Sequence, residues 1–274
     1  MVPDDPLHIY ELEGPLSDPE RFFRESFLAH WREGDSHFLF FSEPQEDTLK
    51  IFLKKYPDLT WVRTHSMTYK DWQGGELLES WSIGKLFFIA PWIPRPEDPE
   101  NFVIRMDPGV VFGSGHHPTT RDSLQALLWI YDRDRPRKVL DLGTGTGILS
   151  LAAISLGAEE VLAVDWNPAC VRTANNNVDL NDLNKKIKIL EGRAEEYLHQ
   201  PADLVLANLH FSVIKELIKN KSFFEKRWVV LSGLMRSEFL EVKQGLKVPG
   251  FEFLKEWDSE FTWFTLVGRN GGRL

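Results

Sequence analysis

Asp141 and Asp165 each close a short apolar run, and a turn with glycine at every second position follows the first of them. Val139-Leu140-Asp141-Leu142-Gly143-Thr144-Gly145-Thr146-Gly147 leads into Ile148-Leu149-Ser150-Leu151-Ala152-Ala153, and Val161-Leu162-Ala163-Val164-Asp165 ends eighteen residues after Gly147. A strand, a glycine turn, a helix and a second strand ending in an acid open a nucleotide-binding sheet. Glycines at this spacing let the backbone lie flat against a nucleoside, where a Cβ would clash. Asp165 is then placed to accept hydrogen bonds from ribose hydroxyls.

Two cofactors compete for such a turn. The dinucleotide fingerprint is G-x-G-x-x-G, with its last glycine pressing helix on strand beneath a pyrophosphate. Here Gly143 and Gly145 are followed by Ile148 at that third place, and the extra glycine, Gly147, falls one position early. Asp141 would repel a pyrophosphate and attract an ammonium group. S-adenosylmethionine has an ammonium, a sulfonium and a ribose but no phosphate, so the charges favour it over NAD. Asp141, Gly143, Thr144, Gly145, Gly147 and Asp165 are accordingly expected to bind it. Trp166 either packs on the adenine or is buried in the core, and Glu191-Gly192-Arg193-Ala194 is expected to meet the adenine edge, with Ala194 as the contact.

Asn208 follows the apolar run Leu204-Val205-Leu206-Ala207. Ligands of doubly wound sheets collect at carboxyl ends of strands, so Asn208 should face the methyl donor. Its amide oxygen and the Leu209 carbonyl could accept hydrogen bonds from a substrate amine and aim its lone pair. In-line displacement asks mainly for that alignment. Phe112-Gly113-Ser114-Gly115-His116-His117-Pro118-Thr119-Thr120 is the other dense motif. Adjacent imidazoles suggest a metal, but neighbouring side chains diverge and no carboxylate or cysteine stands at ligand spacing. The expectation is no metal, and a loop over the cofactor with Phe112 and Thr119 (or Thr120) touching it. Asn175-Asn176-Asn177 reads as a solvated helix face.

These residues need a scaffold, and the chain supplies signals for one. Strands are expected over 7–12, 38–41 and 59–64, with helices from Ser17 to about Trp31, started by Ser17-Asp18-Pro19-Glu20, and from Asp47 to Lys55. Residues 86–92 and 102–106 read as an antiparallel pair joined by a proline-rich turn. A helix over 119–131 precedes the glycine turn, and later strands fall at 186–190, 202–207, 228–234, 251–257 and 262–267. The last two leave no room for a helix between them. The fold is therefore α/β and doubly wound: a mostly parallel, seven-stranded Rossmann-like sheet with an antiparallel edge hairpin, plus a small N-terminal α/β domain. Boundaries are set at 1–66 for that domain, which lacks chemistry-bearing residues and reads as substrate recognition, 67–80 for a linker, and 81–274 for the methyltransferase domain.

Composition narrows the partners. A net charge of −9 argues against gripping nucleic-acid backbones and suits a basic protein partner. Cys170 is the only cysteine, which excludes an internal disulfide. No apolar run reaches membrane-span length and the opening Met1–Asp5 lacks a basic leader, so a cytoplasmic protein is expected.

Three segments together resemble the ribosomal protein L11 methyltransferase family, PrmA. They are Met106-Asp107-Pro108-Gly109 with the Phe112–Thr120 loop, Leu140–Gly147, and Asn208-Leu209, and the likeness covers roughly residues 70–269. The resemblance implies S-adenosylmethionine as cofactor and methylation of amines, lysine side chains and the N-terminal amine, on a ribosomal protein. Trp166, His210 and Phe211 depart from the family's pattern, which leaves a different protein substrate as the alternative. An NAD-dependent oxidoreductase and a non-catalytic binding module are the readings from other classes.

Overall fold

The computed structural model describes residues 2–17, 19, 22, 23, 26–72, 80–96 and 101–271. The chain divides into two compact units, Met1–Glu79 and Ser80–Leu274. Among the described residues no helix is long and apolar enough to cross a membrane.

The first unit holds β1 (Pro6–Glu13), β2 (Phe27–Glu33), β3 (Ser36–Phe41), α1 (Glu46–Lys55), β4 (Thr60–Thr68) and α2 (Tyr69–Trp72). Its antiparallel sheet has the order β2-β3-β1-β4. Alternation sends Tyr10, Leu12, Leu39 and Phe41 to one face, where Leu49 and Phe52 of α1 cover them. The helix expected from Ser17 to Trp31 gives way, among the described residues, to a strand from Phe27 onward. Its cap signal yields one turn, in which the Phe22 and Phe23 amides donate to the Pro19 carbonyl. The chain then enters β2, where Ala29 pairs with Phe40 and Trp31 with Phe38. Cross-strand partners on a period-two pattern outweigh the local cap. The start of the expected 67–80 linker is likewise ordered: β4 runs to Thr68 and α2 follows, while residues 73–79 lie outside the described residues.

The second unit opens with a three-stranded sheet of β5 (Ser80–Ile83), β6 (Leu86–Ile89) and β7 (Phe102–Arg105). β5 and β6 form the antiparallel pair, whereas β6 and β7 run parallel, with Leu86 beside Phe102. This corrects the expected hairpin. Proline fixes φ and marks a turn but does not set the direction in which the chain re-enters the sheet, and residues 97–100 of the connection lie outside the described residues. Then come α3 (Pro118–Tyr131), β8 (Lys138–Leu142), α4 (Ile148–Leu156), β9 (Glu160–Asp165), α5 (Pro168–Leu180), β10 (Ile187–Glu191), α6 (Ala194–Tyr197), β11 (Leu204–Asn208), α7 (Phe211–Leu217), β12 (Trp228–Met235), α8 (Arg236–Gly245), β13 (Phe251–Ser259) and β14 (Trp263–Asn270). The seven-stranded sheet has the order β10-β9-β8-β11-β12-β14-β13, parallel except that β14 opposes both its neighbours.

Burial explains the strand sequences. Leu204 and Leu206 join the apolar cluster on one face, Val205 and Ala207 that on the other, so β11 reads as an unbroken apolar run. α4 is apolar but for Ser150 and Ser155 and is buried from Ile148 to Ile154, as befits a helix covered on nearly every side. Strand order reverses between β8 and β11, which opens a crevice at their carboxyl ends.

One asparagine of the 175–177 run has a structural task. Asn175 and Asn176 are exposed, but Asn177 is fully buried. Its Nδ2 donates to the Asp107 and Thr146 carbonyls (both 2.9 Å), and its Oδ1 accepts from the Asp107 amide at 2.7 Å. Asn181 does the same for Arg105, accepting from its amide at 2.9 Å and donating to its carbonyl at 2.6 Å. Removing the Asn177 side chain would strand buried backbone groups at about 1–3 kcal/mol each.

Candidate active site

The glycine turn between β8 and α4 is bonded on three sides. Gly143 and Thr144 amides donate to the Val164 carbonyl at 2.8 and 3.0 Å, and the Gly145 amide to Asp165 Oδ2 at 2.9 Å. From the loop before α3, the Phe112 carbonyl accepts from the Thr146 amide (3.2 Å) and the Gly113 carbonyl from Thr146 Oγ1 (2.8 Å). Asn177 holds the third side. The glycines at 143 and 145 answer first to these neighbours. Gly145 has φ +56, and a Cβ on it would stand 2.5 Å from the Phe112 carbonyl oxygen; one on Gly143 would meet the Leu209 side chain. The sequence expectation of a clash with the nucleoside alone was incomplete: close approach of protein to protein already demands glycine here.

A cavity of about 990 Å³ opens beside this turn, at the upper end of the range for ligand sites. Of the residues singled out from the sequence, Phe112, Thr119, Gly143, Gly145, Asp165, Trp166, Ala194, Asn208 and Leu209 line it. Asp141, Thr144, Gly147 and Thr120 are not part of its lining. Asp141 is fully buried, and its Oδ2 accepts from Thr144 Oγ1 at 2.7 Å and Ser150 Oγ at 2.6 Å. It ties the strand end to the turn and to α4 rather than facing an ammonium group. Trp166 is 69% exposed, so the buried alternative for it falls away. His116 is exposed while His117 lines the cavity, and among the described residues no group of three or more His, Cys, Asp or Glu is arranged to hold a metal ion.

Burial pushes the Asp141 carboxyl up to about 6, against hydrogen bonds that favour its charged form. The folded protein therefore keeps this proton to higher pH than the unfolded chain. Its contribution to stability is largest below about pH 4 and is lost as pH rises to about 6, roughly 3 kcal/mol in all. Asp141→Asn should remove that slope. Urea titrations should show the variant gaining on the wild type between pH 4 and 7, and a pH-independent difference would contradict the assignment.

Asp165 accepts from Gly145 through Oδ2 and from the Asn167 amide through Oδ1, both at 2.9 Å, and it lines the cavity at the end of β9. Burial raises its pKa, and burial also raises that of the Cys170 thiol beside it, so Cys170 stays a neutral wall and no nucleophile. Among the described residues the lining holds the carboxylates of Asp165, Glu191, Glu195, Glu196 and Glu238 against a single Lys or Arg, Arg193, which itself lies 3.5 Å from Glu195. This donor set suits a cationic nucleoside and opposes a pyrophosphate, so the residues fit S-adenosylmethionine.

Asn208 ends β11 opposite Ser232 of β12. Gly233, next on β12, has φ +85 at a break in register between Leu231 and Leu234. A Cβ there would come within 2.7 Å of the Leu209 carbonyl and 3.0 Å of Asn208 Oδ1. Gly233 thus keeps open the space beside both acceptors. The sequence reading missed it, although a glycine inside an apolar strand signals a bulge or a close approach. His117 was weighed only as a metal ligand within the loop expected over the cofactor, and Met235, Glu238 and Trp263 were missed with less to go on, since they reach the cavity from separate elements. His117 caps α3 through Nδ1, 3.4 Å from the Thr119 amide, and its ring sits edge-on between Phe112 and Trp263. Ser232 Oγ donates to the Thr119 carbonyl at 3.1 Å and joins Thr265 Oγ1, which fixes the start of α3 to the sheet beside Asn208.

A seven-stranded sheet of this order, with an acidic cavity at its switch point and an acid-terminated second strand, defines a class I S-adenosylmethionine-dependent methyltransferase. The family model for ribosomal protein L11 methyltransferase (PrmA) matches residues 35–271. The chain belongs to that family. The ribosomal protein L11 methyltransferase of Prochlorococcus marinus is 33% identical over 226 residues, 79% of this chain and 70% of the relative. That of a Cyanothece species is 32% identical over 185 residues, 65% of this chain and 63% of the relative. The crystal structure of ribosomal protein L11 methylase from Lactobacillus delbrueckii subsp. bulgaricus matches with a TM-score of 0.59 at 27% identity, covering 68% of this chain and 94% of that one.

Proposed function

We propose that the protein methylates amines of ribosomal protein L11, at lysine side chains and the N-terminal amine. The observation that carries this reading is the pair of neutral acceptors, Asn208 Oδ1 and the Leu209 carbonyl, beside Gly233 in the lining of an acidic cavity. Asp165 would hold the ribose, Trp166 and Ala194 the adenine side, and Phe112, Thr119 and the Gly143–Gly145 turn the remainder. The bound cofactor supplies an electrophilic methyl group on a sulfonium. The chain's own residues orient the acceptor and exclude water. A lysine amine must be neutral to attack, and its reference pKa is near 10.4. Desolvation in the cavity lowers that value. Asn208 and Leu209 accept N–H bonds from the free amine and leave its lone pair directed along the line of displacement. Ala207 to Ser212 carries no carboxylate that would hold the ammonium form.

The first unit is assigned to substrate selection, since the cavity is built from the second. Incubation of the purified protein with methyl-labelled S-adenosylmethionine and ribosomal protein L11 tests both parts. The full chain should label L11 in preference to other basic ribosomal proteins. A chain beginning at Ser80 should still bind S-adenosylmethionine but lose most L11 labelling. Preferential labelling of another protein would move the substrate, and full activity of the shortened chain would refute the role given to the first unit.

A further inference from the structure

Phe261 stands 76% exposed at the tip of the β13–β14 hairpin, in a turn better suited to glycine. Glu260 and Phe261 have φ of 55° and 56°, and the Thr262 amide donates to the Ser259 carbonyl at 3.0 Å across them. Two consecutive residues in the left-handed region are what a type I′ turn requires, and asparagine or glycine normally supply them. An aromatic side chain there is strained. Asp258 Oδ1 holds the turn by accepting from the Phe261 amide at 2.6 Å. An exposed apolar residue is ordinarily unremarked. One held in a strained backbone, at a defined place on the rim of a site, asks for a partner.

The place is defined by the sheet. Trp263, two residues after Phe261, lines the cavity and pairs with Met235 on β12 and Ser259 on β13. Met235 also lines the cavity and is 49% exposed. The tip therefore continues the cavity wall outward from its acceptor side. Carboxylates adjoin this apolar strip: Glu238 Oε2 accepts from the Met235 amide at 2.8 Å, Asp258 holds the Phe261 amide, and Glu260 is the other turn residue. Phe261 is not itself in the cavity lining, so a ligand confined to the cavity does not account for it. An extended polypeptide entering with its lysine toward Asn208 would cross the tip with the residues that flank that lysine.

We propose that Phe261 is a docking contact for the methyl-accepting protein, receiving an apolar residue next to the basic acceptor. This rests on the functional reading above. The test compares Phe261→Gly and Phe261→Tyr with the wild type, using ribosomal protein L11 as acceptor. Phe261→Gly relieves the strained turn, so its Tm should match or exceed the wild type, and its Kd for S-adenosylmethionine should be unchanged. Its KM for L11 should rise at least about tenfold, as for a buried aromatic anchor, with kcat within about twofold. Phe261→Tyr, which keeps the ring, should retain the wild-type KM. An unchanged KM in Phe261→Gly, with L11 labelled normally by the wild type, overturns the docking role alone. No labelling of L11 by the wild type overturns the functional reading and the docking role with it. Self-association of the wild type that Phe261→Gly abolishes would give the tip to a second copy, and also overturn the proposal.

Discussion

Gly145→Val is expected to abolish S-adenosylmethionine binding, whereas Gly147→Ala should reduce it little. Both glycines have positive φ, +56 and +84, so both replacements carry backbone strain of about 1 kcal/mol or more. Their surroundings differ. A Cβ on Gly145 stands 2.5 Å from the Phe112 carbonyl oxygen, a backbone atom of a loop bonded to the same turn, whereas on Gly147 its nearest neighbour is Ala174 Cβ at an ordinary 3.4 Å. Valine at 145 must therefore separate the loop from the turn, breaking the Thr146–Phe112 hydrogen bond and pulling the Gly145 amide off Asp165. That removes the support of Asp165, the acceptor proposed for the ribose, together with part of the cavity wall. Calorimetry with S-adenosylmethionine measures the effect, and thermal unfolding confirms that the two apolar clusters still fold. Equal loss of binding in the two variants would show that strain, and not the Phe112 contact, decides the outcome.

Asn208→Ala should slow methyl transfer by about 10²-fold or more through lost alignment of the amine, with cofactor affinity changed by no more than a few-fold. Asn208→Asp is the sharper variant. It keeps an acceptor at the strand end but adds a negative charge beside the amine, which favours the ammonium and raises its pKa. The neutral amine is then scarcer at any given pH, so activity should be lowest at neutral pH and recover in part as pH rises. Rate profiles from pH 7 to 10 distinguish the two variants, because alanine should lower the profile without moving it. Wild-type rates for both across that range would reduce Asn208 to a strand end and move the acceptor site elsewhere.

The second unit was largely legible because its strands are buried on both faces. Leu204–Ala207 is an apolar run closed by Asn208 and Val161–Val164 one closed by Asp165, and the glycine turn marks the first crossover, so a mostly parallel sheet was readable although its strand order was not. The first unit was less legible because its strands are half exposed, so they lack the unbroken apolar runs of the second. Ser17-Asp18-Pro19-Glu20 is a sound helix start, but Phe27, Ala29 and Trp31 are pulled into β2 by partners on β3 that sequence order does not reveal. The 86–106 pair failed for the same reason: proline marks a turn without saying which way the chain leaves it. Within the site, the residues on the glycine turn and at the ends of β9 and β11 were readable, since strand ends announce themselves. Asp141 was placed at the right strand end but turns inward to Thr144 and Ser150. Asn177 was misread because two of the three asparagines in its run are indeed solvated, and periodicity cannot tell which one a neighbouring loop will need.

The bonds from Asn177 and Asn181 to residues 105–107 bear on the entropy of ligand binding. A loop ordered only when its ligand arrives loses about 1–2 kcal/mol of conformational freedom per residue at that moment, and affinity falls accordingly. Here the segment leading into the Phe112 loop is anchored to α5, and Phe112 and Gly113 are anchored to the glycine turn, by bonds within the protein alone. The ordering cost is met during folding, by the same apolar burial that holds α4 and α5. Such a wall should open to solvent with the core of the second unit and not as an independent loop, and hydrogen exchange at Phe112 and Gly113 should track that of α4.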